Sequence, residues 1–291
     1  MIFEVSHRTT YSYRYPVLQS QHLLHLTPRD SQRQTVLRHS LLIEPAPSSQ
    51  SEIRDRYGNA VGILTVADAH SELIVHSRST VDVRPPELPM LGLSTPWEQV
   101  GARAVTGDDA LDLSVLEFVS VSRHTRPNKD ALDYVLPSFP AGRPILEAAY
   151  DLTQRMFRDF AFDPSATDVS TPVAHVLKHR RGVCQDFAHV ALTCLRVLKL
   201  PVRYVSGYLL THPPEGQPKL QGADASHAWI SVWTPEVGWV DFDPTNGLIP
   251  SNEHITVAYG RDYDDVSPVS GVLFGGMDQR MSVAVDVTPV G

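Results

Sequence analysis

The stretch RGVCQDFAHV, Arg181 to Val190, decides how this chain reads. It continues into ALTCLRVLKLP, a core-facing helix that Pro201 closes. A structural cysteine belongs inside such an apolar stripe, where Cys194 falls. Cys184 instead opens the helix and is followed by the polar Gln185 and Asp186. The first turn of a helix carries free N–H groups and the positive end of the dipole, both of which favour a thiolate.

That effect is too small alone. Lowering an ordinary thiol pKa from ~8.5 to ~6 takes roughly 3.4 kcal/mol, whereas a helix terminus supplies ~0.3–1 and at most ~2 kcal/mol. A nucleophilic Cys184 therefore needs a cationic partner, an imidazolium, and a third group to fix the ring.

A downstream hairpin offers both. In SHAWISVW, His227, Trp229, Ser231 and Trp233 share one strand face; in GWVDFDP, Trp239, Asp241 and Asp243 do. With TPEVG as the turn, Trp233 lies opposite Trp239, and Asp243 sits on the diagonal of His227 at ~7–8 Å between Cα atoms. Tightening the turn one step puts Asp243 directly opposite His227, while Asp241 faces Ser231 or Trp229. Asp243 is the better orienting carboxylate in either register, completing a thiol version of the nucleophile, base and orienter triad. The Cys184 N–H can serve as one oxyanion donor.

Outward from this motif the chain divides into three. Residues 1–90 alternate in short Val/Ile/Leu/Tyr/Thr-rich runs broken by PRDSQ, PAPSSQS and RYGNA, predicting an antiparallel β-sandwich-like domain. Residues 91–150 are a connector, beginning in the Pro-rich PPELPMLGLSTP, and a helical segment, DALDLSVLEFV. The helix in PILEAAYDLTQRMFRDF runs from this segment into residues 151–291, which hold the core: a further helix in TPVAHVLKHRRG, the Cys184 helix, then strands at VRYVSGYLL, SHAWISVW, GWVDFDP, ITVAYG and MSVAVDVTP. HPPEGQP is a flexible excursion between two of them. The class is α+β.

The length and 42% hydrophobic content suit a globular protein of about two domains. A net charge of -8, from 33 acidic against 25 basic side chains, and the absence of a Lys/Arg-rich run argue against nucleic acid as a partner. No stretch approaches the ~18 apolar residues of a membrane span, and Met1–Pro16 has no apolar h-region behind a basic n-region, so a cytoplasmic location and no membrane partner are expected. Ten residues of helix separate the two cysteines by about 15 Å, too far for a disulfide.

The ordered blocks RGVCQDFAH, PVRYVSGY, SHAW and GWVDFDPTN, between Phe157 and Asn246, resemble the transglutaminase-like superfamily. The similarity is to its bacterial branch, whose members are described as cysteine-protease candidates. HRTTYSYRYPV and LTPR resemble the N-terminal β domain of that branch, and GRDYDDVSP its C-terminal signature. The resemblance implies a papain-like core that forms a thioester, with Cys184 as nucleophile, His227 as base and Asp243 as orienter. It implies a peptide or Gln-type amide of a protein as substrate, with water or an amine as acceptor. Animal members depend on calcium, but this chain has no EF-hand loop, so neither metal nor cofactor is carried over.

Gln185, Asp186, Trp229 and Tyr208 are the candidate substrate contacts. Strand aromatics pack against one another more often than against ligands, and Asp186 opposes a thiolate while suiting the first helical turn. His189 lies off the nucleophile's face and reads as structural. His175 and His179 have metal-binding spacing without the Glu of HExxH. The leading alternative is a noncatalytic protein- or peptide-binding module with the β domain as its recognition surface. Oligomeric state is not legible.

Overall fold

The computed structural model describes residues 1–87, 89–106, 113–211 and 226–290. HPPEGQP and residues 109–112 of the DALDLSVLEFV segment lie outside the described residues. In chain order the elements begin with β1 (Ile2–Leu24), β2 (Gln34–Glu44), β3 (Ser49–Arg54), β4 (Ala60–Val66) and β5 (His70–Val83). The helical part contains α1 (Trp97–Thr106), α2 (Leu113–Leu116), α3 (Lys129–Val135) and α4 (Ile145–Asp159). Then come β6 (Ala161–Phe162), α5 (Val173–His179), β7 (Arg181–Gly182) and α6 (Cys184–Val197). The chain closes with β8 (Val202–Leu209), β9 (Ser226–Thr234), β10 (Gly238–Phe242), β11 (His254–Gly260), β12 (Val269–Gly275) and β13 (Arg280–Pro289).

The N-terminal domain is an antiparallel sheet threaded by the 23-residue β1. The first half of β1 lies between β5 and β13, the second between β4 and β12; β2 extends the first arm and β3 the second. The register to β5 slips between Ser12 and Val17, across Pro16, which cannot donate to the ladder. One apolar cluster, including Tyr13, Val17, Leu24, Ile43, Leu64 and Leu73, joins the two arms.

The strand pattern at MSVAVDVTP does not belong with the core of residues 151–291, where the sequence reading put it. β12 and β13 pair instead along β1, so the C-terminus completes the N-terminal sheet. Alternation shows that a segment is a strand but not which edge it will pair with, and β1 offers a long edge for it.

The core sheet has the order β10-β9-β8-β11. α6 lies across it, and the inward faces of β8, β9 and β10, with Tyr204, Ile230, Val232 and Phe242, join one buried cluster with Phe187, Leu192 and Leu195 of α6. Two helices beyond the sequence reading complete the layer, α1 and α3; the latter starts at Asn128, whose side chain accepts from Ala131 N–H at 2.8 Å. Arg196, buried near the end of α6, donates to the carbonyls of Phe118, Val202 and Arg261, tying the helical segment to the sheet.

β11 is an edge strand, and two side-chain amides of the N-terminal domain cover it. Gln34 accepts from Thr256 N–H at 2.8 Å and donates to Thr256 O at 2.7 Å; Asn59 makes the same reciprocal pair with Tyr259 at 2.8 and 2.7 Å. These amides copy the hydrogen bonding of a missing strand. Tyr208 adds a third tie through its hydroxyl, 2.9 Å from His7 Nδ1. Among the described residues no helix is long and apolar enough to cross a membrane.

Candidate active site

The short parallel pair β6–β7 delivers the chain to Cys184. The turn into α6 is tight: a Cβ on Gly182 would stand 2.5 Å from Asp186 Oδ2, so only glycine leaves room for that carboxylate. Asp186 Oδ2 accepts from Val183 N–H at 2.8 Å and from the Thr167 hydroxyl at 2.6 Å. The first intrahelical bond of this end runs from Phe187 N–H to Val183 O, leaving the N–H groups of the first turn free of intrahelical acceptors. The half-buried Cys184 sits on that turn.

The hairpin adopts the register with Trp233 opposite Trp239 and Asp241 opposite Ser231. Asp243 lies just past β10, in a turn that bridges back to Leu248. Its Oδ1 accepts from the N–H groups of Thr245 and Asn246, at 2.9 and 3.2 Å, as Asp does in Asx turns. Its Oδ2 accepts from His227 Nε2 at 2.7 Å. With Nε2 engaged, Nδ1 is the ring nitrogen left for Cys184, which lies beside the ring. The structure thus brings Cys184, His227 and Asp243 together from three elements.

Burial pulls the His227 pKa down, but hydrogen bonds and charges from Asp243 and Cys184 outweigh it and raise the value to about 10. Burial likewise pushes the Asp243 carboxyl up, and the hydrogen bonds and charges of His227 and His254 more than reverse this, holding it well below the usual carboxylate range. The arrangement favours an imidazolium at His227 held by the Asp243 carboxylate.

Two partners of Asp243 escaped the sequence reading. His254 Nε2 lies 3.1 Å from Oδ2, and Asn246 Nδ2 donates to the same oxygen at 2.7 Å. His254 starts β11, on the opposite edge of the sheet from β10, so no local pattern connects it to the hairpin. Asn246 was legible as the last letter of GWVDFDPTN, three residues after Asp243. Trp229 stands behind both rings, 5.9 Å from His227 and 5.2 Å from His254 between centroids.

Three of the four expected substrate contacts are placed otherwise. Asp186 is buried, and its carboxylate caps α6. Tyr208 is buried and turned toward His7. Trp229 is fully buried and donates Nε1 to Asp241 Oδ2 at 3.2 Å; its indole covers Gly207, where a Cβ would come within 2.5 Å of the ring. A strand residue's face does not reveal what packs on it, and at Tyr208 the N-terminal domain does. Gln185 is half-buried beside Cys184, its Nε2 3.4 Å from the carbonyl of Val169.

The other chemically suggestive side chains lie away from this cluster. Cys194 is fully buried, and burial pushes its thiol up to about 12. His189 is buried and held neutral, its pKa lowered to about 3 by burial and by His124, and it stacks on His124 at 4.8 Å. His175 and His179 face one another at 4.2 Å. Among the described residues, the grouping with metal-ligand atoms close together is His227, Asp243 and His254, within 4.8 Å. Hydrogen bonds to Asp243 already engage both Nε2 atoms there.

Residues 3–82 match the bacterial transglutaminase-like N-terminal region, and residues 139–244 match the transglutaminase-like superfamily. The chain belongs to that superfamily. An uncharacterized protein of Mycobacterium tuberculosis is 41% identical over 302 residues, spanning 99% of this chain and 92% of the relative. A protein-glutamine gamma-glutamyltransferase of Pseudomonas aeruginosa is 31% identical over 131 residues, 44% of this chain and 19% of that protein. A crystal structure of a cysteine-protease candidate from Cytophaga hutchinsonii shares the fold, with a TM-score of 0.75 at 21% identity, covering 100% of this chain and 92% of that one.

Proposed function

We propose that this protein is a thiol hydrolase that cleaves a peptide or Gln-type amide through a thioester on Cys184. The observation that carries the reading is the chain from a helix-terminal thiol through a buried imidazole to a fully buried carboxylate, with a 2.7 Å bond at its second link. The thiolate attacks the amide carbonyl and the helix N–H groups receive the developing oxyanion. The C–N bond breaks as His227 Nδ1 gives its proton to the departing nitrogen. Water, deprotonated by the same nitrogen, then attacks the thioester and releases the carboxylic acid and the thiolate. An amine in place of water gives transfer; water is the default acceptor because it needs no docking groove. Similarity to the Pseudomonas transferase supports a Gln carboxamide as donor. The two free thiols fit a reducing compartment such as the cytoplasm.

The test is ammonia release from a Gln-containing dipeptide, alongside cleavage of an unbiased peptide mixture, with and without added primary amine. Wild type should turn over one of these without amine, and Cys184→Ala should abolish turnover with little change in melting temperature. Full activity in Cys184→Ala would overturn the assignment.

A further inference from the structure

Behind the catalytic carboxylate, between the N-terminal domain and the outer face of the core sheet, is a cavity of about 390 Å³. Its lining includes three arginines, Arg29, Arg33 and Arg203, drawn from both domains. Two carboxylates, Asp30 and Asp241, also line it. Asp241 accepts from Trp229 Nε1, and Asp30 Oδ1 accepts from Val36 N–H at 2.8 Å. The lining thus carries a net positive charge.

Arg203 is the central feature. Its guanidinium carbon lies 4.4 Å from the centroid of Trp239 and 3.4 Å from that of Tyr259, so the planar group is clamped between two rings. Arg29 stacks on Tyr259 at 4.7 Å. Arg203 Nε is buried without a hydrogen-bond partner among the described residues. A buried cationic donor in that state is costly unless a ligand or water completes it. Stacking fixes the plane of the fork, the geometry that matches a carboxylate edge-on with two parallel N–H···O bonds. The cavity also reaches His254, which is 3% exposed, has Nδ1 buried without a partner among the described residues, and bonds Asp243 through Nε2.

We propose that this cavity is a binding site for a small carboxylate, with the Arg203 fork as its anchor. The site is separate from the Cys184 thiol, and its existence does not depend on the reaction proposed above. The ligand class is an organic acid or the terminal carboxylate of a short peptide.

Calorimetric titration of the Cys184→Ala protein, which cannot turn over an amide, with succinate, trialanine and trialanine amide tests this. Binding of succinate or trialanine without binding of the amide is the expected result, and which acid binds identifies the source of the carboxylate. Arg203→Gln should weaken that binding roughly 10- to 100-fold, the range for losing hydrogen bonds to a charged group. Arg203→Lys should weaken it too, since it keeps charge but not the fork. Arg33→Gln, at the same cavity, should lower affinity several-fold if the Arg203 variants do not fold. Arg84→Gln, in the neighbouring groove, should leave it unchanged. No binding of either acid at 10 mM (~10 mM being a generous ceiling for a specific site), equal binding of the amide, or unchanged affinity in the folded arginine variants would overturn the proposal.

Discussion

At the residue scale, the candidate site is organised around one carboxylate that is held by many donors. Asp243 is fully buried, and five groups donate to its two oxygens: the His227, His254 and Asn246 side chains and two backbone N–H groups. A carboxylate so surrounded keeps its charge and its orientation, and through the 2.7 Å bond it orients the His227 ring and favours its protonated form. Replacing Asp243 by Asn keeps shape and removes charge. The Cys184 alkylation rate at pH 6 should then fall about 10-fold or more, because an adjacent carboxylate moves a histidine by ~1–3 pKa units. An unchanged rate would mean the carboxylate only fills space. Cys184, His227 and Asp243 were legible in the sequence because helix start and strand alternation are local signals. His254 was not, since its role depends on β11 crossing to the far edge of the sheet. Gly207 lets β11 approach, since a Cβ there would stand 2.1 Å from the carbonyl oxygen of Ile255.

At the element scale, α6 is shaped around its first turn. Gly182 gives way, Asp186 folds back on Val183 N–H, and Thr167 from the preceding loop completes the carboxylate's bonding. Asp186→Ala removes a cap and takes the acceptor from the half-buried Thr167 hydroxyl. It should cost about 0.5–2 kcal/mol in urea unfolding, the range for a lost cap. A loss below about 0.5 kcal/mol would show that the turn is held by packing alone. The hairpin register at this scale followed from the period of two and the turn residues. The roles of Asp186 and Trp229 did not, because the same sequence features serve a substrate contact and a packed interior.

At the scale of the whole molecule, the N-terminal and C-terminal segments form one sheet that braces the back of the core. β11, unpaired on its outer edge within the core sheet, is finished by Gln34 and Asn59. The sequence showed two regions of alternating strands but not that the last one closes on the first, since that pairing joins residues nearly the full chain apart. Bracing by buried polar groups makes the fold acid-sensitive. Burial lowers His7 and His22 to about 4 and His189 to about 3, so these rings stay neutral in the fold while the unfolded chain takes up protons below its ordinary value of ~6.5. Unfolding then binds protons, and stability falls as pH drops from ~6.5 toward 4. His227 does not offset this. Its raised pKa makes its contribution complete below ~6.5 and lost only as pH rises through about 10. Urea unfolding at pH 7, 5.5 and 4.5 should show the decline, and His189→Gln, which keeps an acceptor for Tyr263 N–H, should lessen it.

The central claim is that the imidazole at 227 makes a reactive thiolate at 184. The most direct measurement is the rate of iodoacetamide alkylation from pH 5 to 10 in Cys194→Ala proteins with and without His227→Ala. Rapid alkylation persisting below pH ~7 that disappears with His227 is the result the account predicts. Slow alkylation in both proteins, rising only near the ordinary thiol value of ~8.5, would contradict it.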